Sequence, residues 1–494
     1  MIVACYLDEY SSYRLVGSLR LEDDVSEFRY SENYMASPGA RPLFSCLPLS
    51  DKSITGSVVR ASFEALTPEG YARTILSDRY SLDYGDYVSL LLRLGDETIG
   101  ALVITEPGKP PGASAHYEPI GETLFDDFAR MPRTVAAQVV GEVRLSLSGE
   151  MTKIGVYQDL GSGEWFLPFG TAPTTHIVKA PSGDYKDQTI NEAICLMAAK
   201  NLEIEAADVT LREAGNGTPL LFAKRFDRVF DAADVLIDGH RKPRRVHQED
   251  MCQALGMPGT FKYEPSEAEY LELIAGALSR ATANAYGERH ILFEQIIYRY
   301  AIGDCDGHLK NYSILYPKLN DGMVSPLYDV TSTTIYPMVS REMGVRLNRD
   351  RIIDHVSPED LYRTISRLSI PEGNARDLIE NIALNLEAAI ETARDHLIDE
   401  GFEQARSVAD SIIASARPRL DMCRRSLGLS LKQLDEQQVT YELSEPSLDE
   451  DIARAKEAAL AANPSTEEAL FQATEEARHR AGEYSGYSDF DLGR

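Results

Sequence analysis

The stretch GDCDGHLKNYSILYPKLNDGMVSPLYDV, Gly303–Val330, sets Asp304, Asp306, His308, Lys310, Asn311 and Asp329 around two short apolar runs. A solvated loop has no need of the apolar frame, and a core does not tolerate the charges. Upstream, HILFEQIIYRYAI (His290–Ile302) reads as a helix that Gly303 stops. Tyr312–Tyr316 reads as a strand, Asn320-Asp321-Gly322 as a turn, and a second strand leads back to Asp329. Folding that hairpin brings Asp306, Asn311 and Asp329 together.

Phosphoryl transfer requires such a set. One carboxylate orients the attacking hydroxyl and accepts its proton, while an amide oxygen and a second carboxylate hold Mg²⁺ on the ATP phosphates. Asp306 and Asn311 have the D-x-x-x-x-N spacing of a kinase catalytic loop, although Asp329 sits in Tyr-Asp-Val where protein kinases have Asp-Phe-Gly. Lys310 is placed to neutralise developing charge, and His308 to orient or hydrogen-bond. A calcium loop beginning at Asp304 fails, with Leu309 at position 6 and Leu315 at position 12. A zinc site on Cys305 and His308 lacks a second pair. A plain solvated loop stays open on spacing alone.

The other kinase parts lie N-terminal. In TTHIVKA, Lys179 closes a strand pattern, and the helix Asp187–Leu202 beyond it carries Glu192, as in the lysine–glutamate pair that positions ATP phosphates. An edge-strand lysine and a surface glutamate are the plainer readings. RLSLSGEMTKIGVY (Arg144–Tyr157) offers a Ser/Gly loop whose amides could cradle phosphates, or an ordinary hairpin. PLLFAKRFDR (Pro219–Arg228) supplies a hinge at Ala223 and Lys224 and an acid, Asp227, suited to a ribose or to pairing with Arg225 or Arg228.

Around these parts, residues 1–110 look β-rich, with Tyr87–Ile104 read as strand, turn, strand, and Gly108–His116 as a boundary loop. Residues 120–255 alternate strands with one good helix. Residues 256–430 are mainly helical, including Pro358–Leu368 and Arg376–Leu397, and an acidic, Ala-rich tail with no assigned role fills 431–494. The chain of 494 residues, 43% hydrophobic and 26% charged, suits a soluble globular protein. A net charge of −28 opposes unaided binding to nucleic-acid phosphates. Six scattered cysteines without a CxxC pair fit a reducing cytosol, and neither a leader nor a membrane span is expected.

FRYSENYMASPGARPLFSCLPL, SLSGEMTK, TTHIVK, NEAICLMAAKNL, FAKRFDR, HQEDMCQALG, GDCDGHLKN and SPLYDV, in this order and spacing, resemble the HipA family of bacterial serine/threonine kinases, the toxins of HipA–HipB systems. The resemblance runs to about residue 430. It implies an α+β, two-lobed protein-kinase-like fold with an N-terminal β-rich subdomain, a kinase-like N-lobe and a mostly helical C-lobe. It implies ATP and Mg²⁺, with Asp306 as catalytic base, Asn311 and Asp329 on the metal, Lys179 on the phosphates and Asp227 on the ribose. Gly149 and Lys153 match the family's phosphate loop, but Met151 stands where a Gln is usual. Family members inactivate themselves by phosphorylating a serine of this loop, here Ser146 or Ser148. Their substrates include aminoacyl-tRNA synthetases, and a small helix-turn-helix antitoxin, HipB, links them to DNA. A kinase-like small-molecule phosphotransferase and a catalytically silent, antitoxin-binding corepressor are the competing expectations.

Overall fold

The computed structural model describes residues 1–428 apart from 113, 122, 144–151, 182, 184, 186, 231–234, 267, 319 and 320. Ser146, Ser148, Gly149 and the 431–494 tail lie outside the described residues.

A first antiparallel sheet, ordered β4-β3-β2-β1-β5, comprises β1 (Ile2–Asp8), β2 (Tyr13–Glu22), β3 (Val25–Tyr30), β4 (Ile54–Thr55) and β5 (Leu102–Thr105). Asp23 and Asp24 close the β2–β3 hairpin with φ of 48° and 59°, the doubly positive pair that matches the strands' right-handed twist. Helices α1 (Glu32–Met35), α2 (Ser57–Glu64), α3 (Gly70–Tyr80) and α4 (Tyr87–Leu94) accompany it. This region is therefore mixed, where the sequence suggested mainly strands. Tyr87–Leu94 is a helix, not a strand. Asp86 caps it by accepting from Ser89 N at 3.0 Å, and Val88, Leu90, Leu91 and Leu94 are all buried. A short apolar run such as Val88 and Leu90–Leu92 suits a buried strand as well as a helix, so apolar content could not tell the two apart.

The second sheet is ordered β10-β11-β9-β7-β8-β6 and comprises β6 (His116–Pro119), β7 (Lys153–Gln158), β8 (Trp165–Phe169), β9 (His176–Lys179), β10 (Val209–Glu213) and β11 (Pro219–Lys224). Register pairs Lys153 with Lys179, so the two lysines stand side by side on neighbouring strands. Two helices beyond the sequence reading, α5 (Leu124–Arg130) and α6 (Pro132–Val143), join this sheet's core through Phe128, Val135 and Val139. The expected helix α7 (Gln188–Asn201) carries Ile190, Ile194 and Leu196 inward.

The C-terminal lobe is helical: α8 (Met251–Leu255), α9 (Tyr270–Ala281), α10 (Ala285–Ile302), α11 (Pro358–Arg367), α12 (Glu372–Asp399) and α13 (Ala405–Ser426). They share one core with α7, which joins the two lobes. Gly303 ends α10 with φ of +86°, and a Cβ there would fall 2.1 Å from Thr334 Oγ1, so both conformation and space require glycine. A three-stranded sheet, His247–Asp250, Ser313–Lys318 and Asp321–Val324, carries the predicted hairpin on the lobe's surface toward the first sheet's domain.

Candidate active site

Each half of the site is held by a short-range device. Helix α10 ends at Gly303, and the buried Arg299 in its last turn organises the loop beyond. Arg299 forms a buried ion pair with Asp304 and donates to Asn311 O (3.2 Å), Tyr328 O (2.7 Å) and Asp329 O (3.1 Å). One guanidinium thus ties the loop of Asp306 to the segment of Asp329. Within the loop, Asp304 Oδ1 accepts from Asp306 N (2.9 Å), and Asp306 O accepts from His308 N and Asn311 Nδ2, both at 2.7 Å. That second bond engages the amide's donor end, so the oxygen is the end that could hold a cation. Asp329 has φ of 53°, the left-handed region, which redirects the chain at the carboxylate.

From the other side, β9 delivers Lys179 and α7 delivers Glu192. Lys179 Nζ donates to Glu192 Oε1 at 2.6 Å and to Asp329 Oδ1 at 2.7 Å. Lys179 and Glu192 are buried, whereas the Asp329 side chain is 38% exposed. Burial alone would raise the Asp329 carboxyl, but Lys179 and Lys153 reverse this and hold it well below the usual carboxylate range. Burial opposes the Lys179 charge, and Asp329 and Glu192 overcome that, leaving Lys179 above its ordinary value. Burial raises Glu192, its attraction to Lys179 notwithstanding. Lys153, pushed down to about 8 mainly by burial, adds a second ammonium beside Asp329. Among the described residues no three His, Cys, Asp or Glu side chains converge as a metal cage. A site of one carboxylate and one amide oxygen suits Mg²⁺, which takes few protein ligands and completes its shell with phosphate and water.

The structure thus brings together Asp306, Asn311, Asp329, Lys179, Glu192 and Lys153. Three expectations need correction. Lys310 is not free for the phosphates: its ammonium sits between Glu69 Oε1 (3.0 Å) and Asp250 Oδ2 (3.1 Å), with the side chain 4% exposed. Asp227 does not open onto a ribose. It accepts from Arg225 Nε (2.9 Å) and Nη2 (2.7 Å), Arg228 Nη1 (2.8 Å) and Gly100 N (2.8 Å), all buried. The pairing with Arg225 and Arg228 that the sequence also allowed is the one adopted. Lys224 ends β11 with an exposed side chain that points to Asp208 at 4.0 Å, away from the cluster. His308 is buried, edge-to-face with Tyr263 (5.0 Å between centroids), and burial with Lys262 nearby keeps it neutral.

Sequence reasoning missed Arg299, Tyr263, Glu69 and Asp250. Tyr263 donates to Asp306 Oδ1 at 2.6 Å. Arg299 had a signal, as a lone cation amid the apolar face of a helix that ends at the loop. Glu69 had none, because it comes from the first domain.

Comparison with known proteins identifies both parts of the chain. Residues 7–105 match the HipA N-terminal domain, and residues 145–390 match the HipA-like C-terminal domain. The chain is 29% identical over 402 residues to "Putative kinase Y4mE" of Sinorhizobium fredii, covering 79% of this chain and 92% of that one. It is 25% identical over 365 residues to "Serine/threonine-protein kinase toxin HipA" of Shewanella oneidensis, covering 70% and 78%. Its fold matches a chain of the Shewanella oneidensis MR-1 HipA, HipB and operator DNA complex with a TM-score of 0.70 and 21% identity, over 87% of this chain and all of that one. Two adjoining domain matches, the kinase-type relatives and the shared two-lobed α+β fold agree: this chain belongs to the HipA family.

Proposed function

We propose that the chain is an ATP- and Mg²⁺-dependent serine/threonine protein kinase of the toxin type, that it phosphorylates a translation component, with an aminoacyl-tRNA synthetase as the first candidate, and that it phosphorylates its own loop at Ser146 or Ser148. The observation that carries this reading is the Lys179 bridge, which joins Glu192 to Asp329 beside the Asp306–Asn311 loop. In the proposed reaction Asp306 orients the acceptor hydroxyl and takes its proton as oxygen attacks the γ-phosphorus, and ADP leaves. Lys179 and Lys153 offset charge on the phosphates. Asn311 and Asp329 would hold Mg²⁺, which neutralises the β- and γ-phosphate oxygens when bound. A phosphate on Ser146 or Ser148 would add about −1.5 to −2 charge beside the ATP phosphates and oppose rebinding. No helix among the described residues is long and apolar enough to cross a membrane.

The relative from Shewanella oneidensis is named a toxin, and the fold match lies in a complex with HipB and operator DNA. A HipB-like antitoxin is accordingly the proposed partner, contacting DNA on behalf of an acidic chain. The test is the intact mass of the full chain after incubation with Mg-ATP, beside Asp306→Asn. Phosphate gained by the wild type alone and mapped to Ser146 or Ser148 is the expected result. No added mass together with no ATP-dependent thermal shift refutes the kinase.

A further inference from the structure

Helix α3 begins with a residue that does not serve it. Glu69 occupies the N-cap, where Ser, Thr, Asp or Asn would accept from the first turn, and its side chain caps nothing. The carboxylate instead leaves the first domain and meets the C-terminal lobe. Its Oε1 lies 3.0 Å from Lys310 Nζ, and its Oε2 lies 3.6 Å from Lys262 Nζ. Burial would raise the Glu69 carboxyl, but Lys310 and Lys262 outweigh it and hold it below the usual carboxylate range, so the bridge is charged at neutral pH.

The two lysines belong to segments that are tied to each other, since Lys262 O accepts from Leu309 N at 3.0 Å. From Lys310 the restraint passes in short steps to the reacting groups. Lys310 O accepts from the Tyr328 hydroxyl at 2.6 Å, one residue before Asp329. The next residue, Asn311, donates through Nδ2 to Asp306 O at 2.7 Å. On its far side the Lys310 ammonium faces Asp250 Oδ2 at 3.1 Å, at the end of the His247–Asp250 strand. Asp250 alone would draw the ammonium toward that strand. With Glu69 opposite, Lys310 is fixed between two domains.

We propose that Glu69 is a positioning residue supplied by the first domain: through Lys310 it sets the place of the Asp306–Asn311 loop, so that the active site is complete only while the first domain is docked. This rests on the kinase reading above. Lys179 and Glu192 are held by each other and by Asp329, so loss of the Glu69 bridge slackens the loop and leaves that pair in place.

The experiment is Glu69→Gln in the full chain, which keeps the size of the side chain and removes its charge. Self-phosphorylation is followed by intact mass against Mg-ATP concentration, with wild type and Asp306→Asn alongside. ATP affinity is read by calorimetry, melting by scanning fluorimetry, and the loop by hydrogen exchange over Gly303–Tyr316. The expected result is a kcat lower by about 10- to 100-fold, the cost of a small misplacement of reacting groups. ATP affinity does not fall, and exchange rises in the loop segment while α10 and α12 keep theirs. Melting stays at the wild-type value, because the Glu69 side chain is 24% exposed and Lys310 retains Asp250. Lys310→Met and the double variant complete the cycle, and the double variant is expected to be no slower than Lys310→Met alone, because both changes break one bridge. Additive losses overturn the proposal, since Glu69 would then act by another route. A loss of rate shared by melting or by ATP affinity overturns it too, as the mark of a residue that merely packs. So does a loss of rate with loop exchange unchanged. A wild type that transfers no phosphate removes the kinase reading and this inference with it, whereas an active wild type with an equally active Glu69→Gln removes the inference alone.

Discussion

Asp227→Asn separates two roles for one residue, because the structure gives its carboxylate to arginines and the family resemblance gives it to a ribose. The side chains of Asp227, Arg225, Arg228 and Glu97 are each 4% exposed or less. Neutralising Asp227 leaves Arg225 and Arg228, with Arg245 nearby, facing Glu97 alone. Removing one partner of a buried ion pair costs about 3–5 kcal/mol. The amide oxygen of Asn retains one acceptor, so the lower end, about 3 kcal/mol, applies. At about 2–4 °C per kcal/mol for a domain of this size, melting falls by roughly 6–12 °C. Burial raises the Asp227 carboxyl, but Arg225 and Arg228 outweigh it and hold it well below its ordinary value. Its stabilisation is therefore fully present above the unfolded value of about 3.9 and is lost only as pH falls through the lower folded value. The gap between wild type and variant should be flat from about pH 5 to 8. Scanning fluorimetry across that range, with and without ATP, reads both quantities. A variant that melts like wild type but binds ATP about tenfold more weakly, a loss of about 1.4 kcal/mol, refutes the structural assignment and restores the ribose.

Lys179→Met removes the ammonium shared by Glu192 and Asp329, and phosphoryl transfer should fall by about 10²–10³-fold in a single-turnover assay, as for other preorganised charge stabilisers. Lys153, pushed down to about 8 by burial, loses its charge as pH rises through that value, so ATP affinity should weaken above about pH 8 in wild type and stay level in Lys153→Arg, measured by titration calorimetry. Asp304, raised to about 6 by burial against the pull of Arg299, loses its charge as pH falls through that value and releases Arg299 from the loop. Activity should therefore show an acid limb near pH 6, and Asp304→Asn should have a lower plateau without that limb.

How far each feature could be read in advance depended on the distances over which a sequence signals. Helices α11 and α12 each bury one stripe, whose 3.6-residue period marks them, whereas α7 and α10 are buried on most faces and are marked by their length and by Gly303 after α10. Asp306, Asn311 and Asp329 lie within one loop and hairpin, so their meeting is set by local turns. Lys179 and Glu192 were legible as a strand leading into a helix, an order with a mechanical meaning. By contrast, Lys310 reads as a catalytic-loop cation until Glu69 and Asp250 are seen to neutralise it, and nothing near Lys310 announces either. Arg225, Asp227 and Arg228 look like a charged strand end until Glu97 and Gly100 bury them.

Those unforeseen partners have a common source. Glu97 and Gly100 engage Arg225, Arg228 and Asp227 immediately after β11, at the hinge side of the second sheet. Glu69 engages Lys310 of the catalytic loop, and Ser45 donates to Glu249, through N at 2.8 Å and Oγ at 2.5 Å, beside the hairpin that carries the loop to Asp329. The first domain therefore grips both lobes at once, one just after β11 and the other at the Asp306–Asn311 loop, through groups that are mostly buried and charged. Apolar contacts alone would allow the lobes to slide. Directional ion pairs at two separated points oppose rotation of one lobe about the other, because each breaks if its partner turns away. In a kinase the angle between lobes sets whether the lysine of one meets the metal-binding aspartate of the other. Here Lys179 and Asp329, one from each lobe, stand 2.7 Å apart, a contact that such a brace would help to hold.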